Sequence, residues 1–384
     1  MPFTATVAIR PLLLAASIFG FAATTTAKPL SEESASITGT VIDEPGGQSA
    51  NRVAAIHKQA VFVDMHAHPS RFHRANVARI ESDELARYRR GLMDVVVCNI
   101  STDAAFSGDY VKRDGTEVKR GELPRPRPGE PFAFTLDRFT RIARTVDDGE
   151  AVLATSPEVV LDAKRQGKLA LLAALEGGDG LEARVENLRE LYRRGLRLLQ
   201  LVHFRANELG HIQTYPYSPG GLTPFGREAV HEANRLGIII DLAHANTETI
   251  MDALKESSQP MLFSHTGVKA LHDSDRSLSD DEILAIASKG GVIGIWPNGE
   301  SNPTMDDMVR NIDYVKKLVG IDHVGIGSDL RGMASYTPEF GEDANFQAIA
   351  EALLAHGYSN SEVGKVMGAN FFRVWQKVRV KAQH

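Results

Sequence analysis

Eight short apolar runs punctuate the chain between residues 60 and 329, and their spacing constrains the fold more than any other feature. They are AVFVDMH (60–66), MDVVVCNI (93–100), LALLAALE (169–176), LRLLQLVH (196–203), GIIIDLAH (237–244), PMLFSH (260–265), GGVIGIW (290–296) and HVGIGSD (323–329). Near-continuous apolar runs of this length suit strands buried on both faces, as in a parallel sheet. Amphipathic stretches with helix start and stop signals lie between them. Thr223-Pro224 supplies a capping hydroxyl and a proline at the first helical position of FGREAVHEANRL, and Gly237 closes it. SLSDDEILAIASKGG repeats the scheme, with acids in its first turn and glycines at its end. Eight such alternations predict an α/β chain folded as one (β/α)8 barrel of the TIM type, with an open doubly wound sheet as the competing arrangement.

The barrel accounts for residues 51–384, and two further segments precede it. Residues 1–27 carry one cation, Arg10, then an apolar run from Pro11 to Ala23 and small residues ending at Ala27. This is the layout of a signal peptide, and it predicts an exported protein, periplasmic or secreted. The apolar run is shorter than the ~20 residues of a spanning helix, so an uncleaved anchor is the weaker reading. Residues 28–50 are polar and rich in Gly and Ser, as in a disordered tether. A second polar stretch, 107–131, is charged, rich in Pro and without apolar period; in a barrel it falls in a loop beyond the second strand. A net charge of −6 with interspersed signs gives no basic stripe for nucleic acid. The one cysteine, Cys98, lies inside an apolar run, which excludes an internal disulfide and a thiolate metal site.

Polar residues fall at the ends of the runs. The first ends in His66 and His68, the third in Glu176, the fourth in His203, the fifth in His244, the sixth in His265 and the eighth in Asp329. A barrel gathers these ends on one face, where active sites sit. A lone histidine at a strand end is more often structural than a ligand, and His57, His73, His211, His231, His272, His323, His356 and His384 are given no role. Five histidines and two acids at matching places would be costly to bury together without a cation. Imidazole and carboxylate donors without thiolate suit zinc, with manganese or iron as alternatives. His66 and His68, two apart on a strand, face one side and can share an ion. The donor number suits two ions bridged by Glu176, with a water clamped between them and Asp329 free as a general base.

The same residues resemble those of the membrane (renal-type) dipeptidases, peptidase family M19 of the amidohydrolase superfamily. The resemblance covers residues 60 to 377 and rests on LEGGDGLE (175–182), GGLTPFGREAVHEANRLGIIIDLAHAN (220–246), LFSHTGVKALHDSDRSLSDD (262–281), IDHVGIGSDLRG (321–332) and YSNSEVGKVMGANFFRVWQKV (358–378). It implies a (β/α)8 barrel with two zinc ions: His66 and His68 on the first, Glu176 bridging, His244 and His265 on the second. It further implies that His203 stabilises the tetrahedral intermediate and that Arg276 holds the substrate's terminal carboxylate. Asp329 would take the water's proton and return it to the leaving amine. Pairing into a homodimer is also implied.

Two departures stand out. The family's first site is usually His-x-Asp, whereas this chain has His-Ala-His, which leaves a one-ion site as the alternative to two. The loops after His203 and after Asp329 also lack the family's usual Asn-x-Pro-Trp and Phe-Asp-Gly. The expected activity is therefore a metallo-dipeptidase acting on short peptides, including dipeptides with a C-terminal D-residue. The alternatives are hydrolysis of N-acyl amino acids, lactams or lactones at the same site, a phosphoesterase, and a barrel that binds a metal or ligand without turnover.

Overall fold

The computed structural model describes residues 49–73, 77–104, 126–214 and 219–382, all within the compact unit Ile37–His384. The expected signal peptide, the tether up to residue 48 and the charged segment up to residue 125 lie outside the described residues. The last two tether residues instead open the helix Ser49–Gln59, and Glu130 and Pro131 of the charged segment open the helix Glu130–Asp147.

All eight apolar runs form strands of one parallel sheet. In chain order these are β1 (Val63–Ala67), β2 (Val95–Ser101), β3 (Ala151–Leu153), β4 (Leu169–Glu176), β5 (Leu196–Gln200), β6 (Ile239–Asp241), β7 (Leu262–Val268), β8 (Ser277–Leu278), β9 (Val292–Ile295) and β10 (Val324–Ile326). The hydrogen-bonded path runs β1-β2-β4-β5-β6-β7-β9-β10, with helices between successive strands. Two short strands were not anticipated: β3 pairs with β4 and β8 with β7, both off that path. Neither exceeds three residues, too few for a periodic signal.

The sheet closes as a barrel through its first and last strands. Ala67 bridges Leu330 in parallel, His68 N–H donates to the Leu330 carbonyl at 2.8 Å, and Asp329 N–H donates to the His66 carbonyl at 2.8 Å. Asp64, fully buried, cements this seam: its carboxylate accepts the Ser328 amide at 2.8 Å, the Ser328 hydroxyl at 2.5 Å and the His66 amide at 3.2 Å.

Both faces of the strands are buried, which explains the continuous apolar runs. Cys98 and its outward neighbours Val96 and Ile100 pack in the main core with the helices. Val63, Met65, Val95, Val97, Leu172, Leu198 and Val292 form a second cluster, which Phe371, Phe372 and Trp375 of the closing helix Asn370–Ala382 complete. The expected helix ends are present. The Thr223 hydroxyl accepts the Gly226 amide at 2.9 Å, Gly237 adopts φ +74°, and Ser279 and Glu282 form a reciprocal capping box.

Removing the Asp64 carboxylate strands the Ser328 amide inside the barrel. Asp64→Ala is expected to cost about 1–3 kcal/mol of stability in metal-free protein. The check is a lower urea midpoint with an unchanged m-value.

Candidate metal centre

The C-terminal ends of the strands converge as the sequence pattern required. His66 and His68 reach the cleft through a break in strand pairing. β1 and β2 run in register at Val63–Val95 and Asp64–Val96, but Ala67 pairs with Cys98, so one extra residue bulges between them. Val63 and Met65 thus pack in the inner cluster, and His66 and His68 beyond the bulge also turn inward. His203, His244 and Asp329 lie in the loops, each three residues past its strand. His265 departs from expectation, because β7 continues to Val268 and places it within the strand. His244 and Asp329 hold φ of +69° and +47°, a left-handed backbone that costs about 1–3 kcal/mol in a non-glycine residue.

Glu176 is the hub. It is 1% exposed. Its Oε1 lies 3.2 Å from His66 Nε2, 3.3 Å from His203 Nε2 and 3.5 Å from His244 Nε2. Its Oε2 lies 3.3 Å from His68 Nε2 and accepts the Ser101 hydroxyl at 2.5 Å. Burial alone would push this carboxyl up, but the imidazoles of His203, His68 and His66 outweigh it and hold it well below the ordinary carboxylate range. His244 and His265 face each other, Nε2 to Nε2, at 3.1 Å. Burial pushes both well below the ordinary imidazole range, helped by the Arg276 charge for His244 and by His66 and then Arg276 for His265.

Two sets of donor atoms follow: His66, His68 and Glu176, and Glu176, His244 and His265, with the atoms of each set within 4.8 Å of one another and every residue buried. The donor chemistry fits cations. The carboxylate is ionised, His244 and His265 are neutral, and the buried His66 Nε2 makes no hydrogen bond. Those are the forms that ligate a metal. Asp329 stands just outside, 13% exposed at its side chain, with Oδ1 3.4 Å from His68 Nε2 and 3.8 Å from His66 Nε2. A Cβ on Gly332 would collide with that carboxylate and with the His68 ring, so the turn after Asp329 needs glycine there.

Arg276 also reaches the centre. It is 8% exposed, donates to Gln213 Oε1 at 3.0 Å and lies 5.3 Å from the Trp296 ring, which itself flanks His265 at 5.8 Å. All eight site residues expected from the sequence are therefore brought together.

Several partners were not expected. Asp103, fully buried, takes His203 Nδ1 at 2.7 Å, and Phe204 stacks on the His203 ring at 3.8 Å. His73, given no role, packs its ring 4.2 Å from that of His68. Asp103 follows the second run and Trp296 ends the seventh, the two strand ends from which no site residue was expected, so topology alone could have flagged them.

The family model for membrane dipeptidases (peptidase family M19) matches residues 50–384. Dipeptidase tcpJ of Claviceps purpurea is 32% identical over 251 residues, a match covering 63% of this chain and 59% of that protein; the chain thus spans under two thirds of that relative's length. Among solved structures, the probable dipeptidase PvdM of Pseudomonas aeruginosa superposes with a TM-score of 0.74 at 21% identity, over 87% of this chain and 99% of that one. A metallo peptidase of Rhodobacter sphaeroides, liganded with a phosphinate mimic of the dipeptide L-Ala-D-Ala, gives 0.70 at 21% identity, over 83% and 99%. At such identity these two likenesses speak for the fold.

Because both donor sets share one carboxylate, Glu176→Ala is expected to empty both sites, whereas His244→Ala empties one. Metal content per chain after dialysis distinguishes the two variants.

Proposed function

The chain belongs to the membrane dipeptidase family, and from that premise we propose that it is a metallo-dipeptidase in which His66, His68 and Glu176 would hold one zinc ion and Glu176, His244 and His265 a second. The observation that carries this reading is the pair of buried donor sets sharing Glu176, with the accessible Asp329 carboxylate beside them. Bound cations at such a centre supply a water activated at neutral pH and polarise the scissile carbonyl.

The chain's own residues supply the rest. Asp329 accepts the proton that the attacking water loses and delivers it to the leaving amine as the C–N bond breaks. His203 Nδ1 lies 2.7 Å from the Asp103 carboxylate, which fixes the ring plane, and an Nε2–H on that ring would be the donor to the developing oxyanion. Arg276 takes the substrate's carboxylate, its planar fork held by Gln213 and Trp296. A carboxylate anchored there limits the peptide to the length that reaches from Arg276 to the metal centre, which favours dipeptides. The L-Ala-D-Ala mimic bound by the Rhodobacter sphaeroides protein supports D-residues at the second position. The expected leader at residues 1–27 supports action outside the cytoplasm, and the family resemblance supports a homodimer. Among the described residues no helix is long and apolar enough to cross a membrane.

The test is hydrolysis of L-Ala-D-Ala and L-Ala-L-Ala beside an N-acetyl amino acid, with metal measured on the same sample. Chelation should abolish dipeptide turnover and zinc should restore it. Cleavage of the N-acetyl substrate alone would overturn the dipeptidase reading. Asp329→Asn is expected to lower kcat by about 10²–10⁴-fold with metal content unchanged; loss of metal would make Asp329 a ligand. Arg276→Met is expected to raise KM for dipeptides and leave metal content unchanged.

A further inference from the structure

Ser264 occupies an unusual position between the two donor sets. Its hydroxyl lies 2.8 Å from Nδ1 of His265, its neighbour on β7, and 3.3 Å from Nδ1 of His66, which is 198 residues away on β1. One oxygen thus touches a ligand of each set. His68 is served separately, its Nδ1 lying 3.1 Å from the Asn99 carbonyl, and the buried Nδ1 of His244 has no hydrogen-bond partner.

A serine hydroxyl has one hydrogen and two lone pairs. For His66 and His265 to offer Nε2 to cations, both must carry a proton on Nδ1. Both N–H groups then point at Ser264 Oγ and fill its two lone pairs. The hydroxyl hydrogen must leave in a third direction. Asp241 is the acid hydrogen-bonded to this residue: Oδ1 of this fully buried carboxylate accepts the Ser264 amide at 2.9 Å and the Ala243 amide at 3.1 Å, while Oδ2 is buried without a hydrogen-bond partner. Burial pushes the Asp241 carboxyl up, and the Ser264 hydroxyl is the largest influence opposing it. Turning that hydrogen to Oδ2 would give the unpartnered oxygen a donor and match the donors and acceptors of Ser264, His66, His265 and Asp241.

We propose that Ser264 and Asp241 form one positioning unit shared by both metal sites, a single hydroxyl fixing the ligating tautomer of His66 and His265 together. Neither residue touches substrate. The proposal rests on the binuclear reading above and goes beyond it in predicting that the two sites weaken together when this unit is broken. An ordinary packing role for Ser264 would leave metal affinity unchanged.

The experiment is a titration of metal-free full-length protein with Zn2+ and with Co2+, recording ions bound per chain, their affinities and the cobalt absorption bands. Ser264→Ala is expected to lower affinity at both sites by about 10–100-fold. Asp241→Asn should do the same, because its amide N–H would face an oxygen whose lone pairs are already taken. Ser264→Ala combined with Asp241→Asn should bind no more weakly than Ser264→Ala alone, since both act through one hydrogen bond. Ser264→Thr keeps the hydroxyl and should restore binding, and thermal midpoints of the metal-free forms separate lost affinity from lost fold. If Ser264→Ala or Asp241→Asn weakens one site only, or neither, or if their effects add, the shared unit is wrong. A wild-type chain that binds no ion would instead remove the binuclear reading on which it rests.

Discussion

The top of this barrel is organised around one buried carboxylate. Moving an ionised group such as Glu176 from water into a protein interior carries an effective penalty of several kcal/mol, and Glu176 is enclosed on every side. Four imidazoles lie within 3.2–3.5 Å of its oxygens, and Ser101 donates to one of them. That shell keeps the carboxylate ionised. The histidines have a cost of their own, since His244 and His265 are buried, neutral and face each other with ring nitrogens 3.1 Å apart. A buried carboxylate beside two imidazoles that burial keeps neutral is a poor arrangement for stability and a good one for receiving cations. The conflict is resolved only when the centre is loaded.

The rest of the fold serves to hold these groups in place. The bulge in β1 turns two histidines toward Glu176. The seam between β1 and the segment after β10 joins His66 and Asp329 by a backbone hydrogen bond, so a first-site ligand and the candidate base share one piece of rigid backbone. Left-handed φ at His244 and Asp329 stores strain at two residues that face the centre. Away from that layer, Phe371, Phe372 and Trp375 of the closing helix fill the inner apolar cluster. Stability is concentrated at one end of the barrel and chemistry at the other, as the fold class leads one to expect.

What could be read from the sequence followed from periodicity and from what ends each apolar run. Continuous apolar runs mark strands buried on both faces, and because a parallel barrel gathers strand ends, the sequence alone places residues from 66 to 329 in one cluster. The hydrogen-bond partners beyond the ligands were not legible. Ser264 looks like any small polar residue in a strand, and its role arises only because two imidazoles from distant strands meet at its oxygen. Asp103 follows an apolar run that ends in Ser101 and Thr102 and carries no histidine. The short strands β3 and β8 are set by neighbouring backbone rather than by their own side chains. His265 seemed to end a run, but β7 continues through Thr266 and Gly267 because the barrel interior there accepts polar groups.

The His-Ala-His segment carries a consequence for how charge is distributed. An acid at residue 68 would give the first donor set a carboxylate besides Glu176. Here Glu176 is the only carboxylate within the two donor sets. The next anion is Asp329, whose Oδ1 lies nearer to His68 than to His66. A cation held by His66 and His68 would therefore draw on Asp329 for the charge that an acid at residue 68 would have supplied. Strong attraction between that cation and Asp329 makes the carboxylate a weaker base, because its charged form is favoured. Asp64 and Asp241 are buried one layer further back, Asp64 accepting the His66 and Ser328 amides and Asp241 the amide of Ser264, whose hydroxyl lies against His66 and His265; burial pushes both carboxyls up, Asp64 to about 7. A cation held in the first donor set would favour the charged form of both acids, so loading the centre and ionising them would reinforce each other.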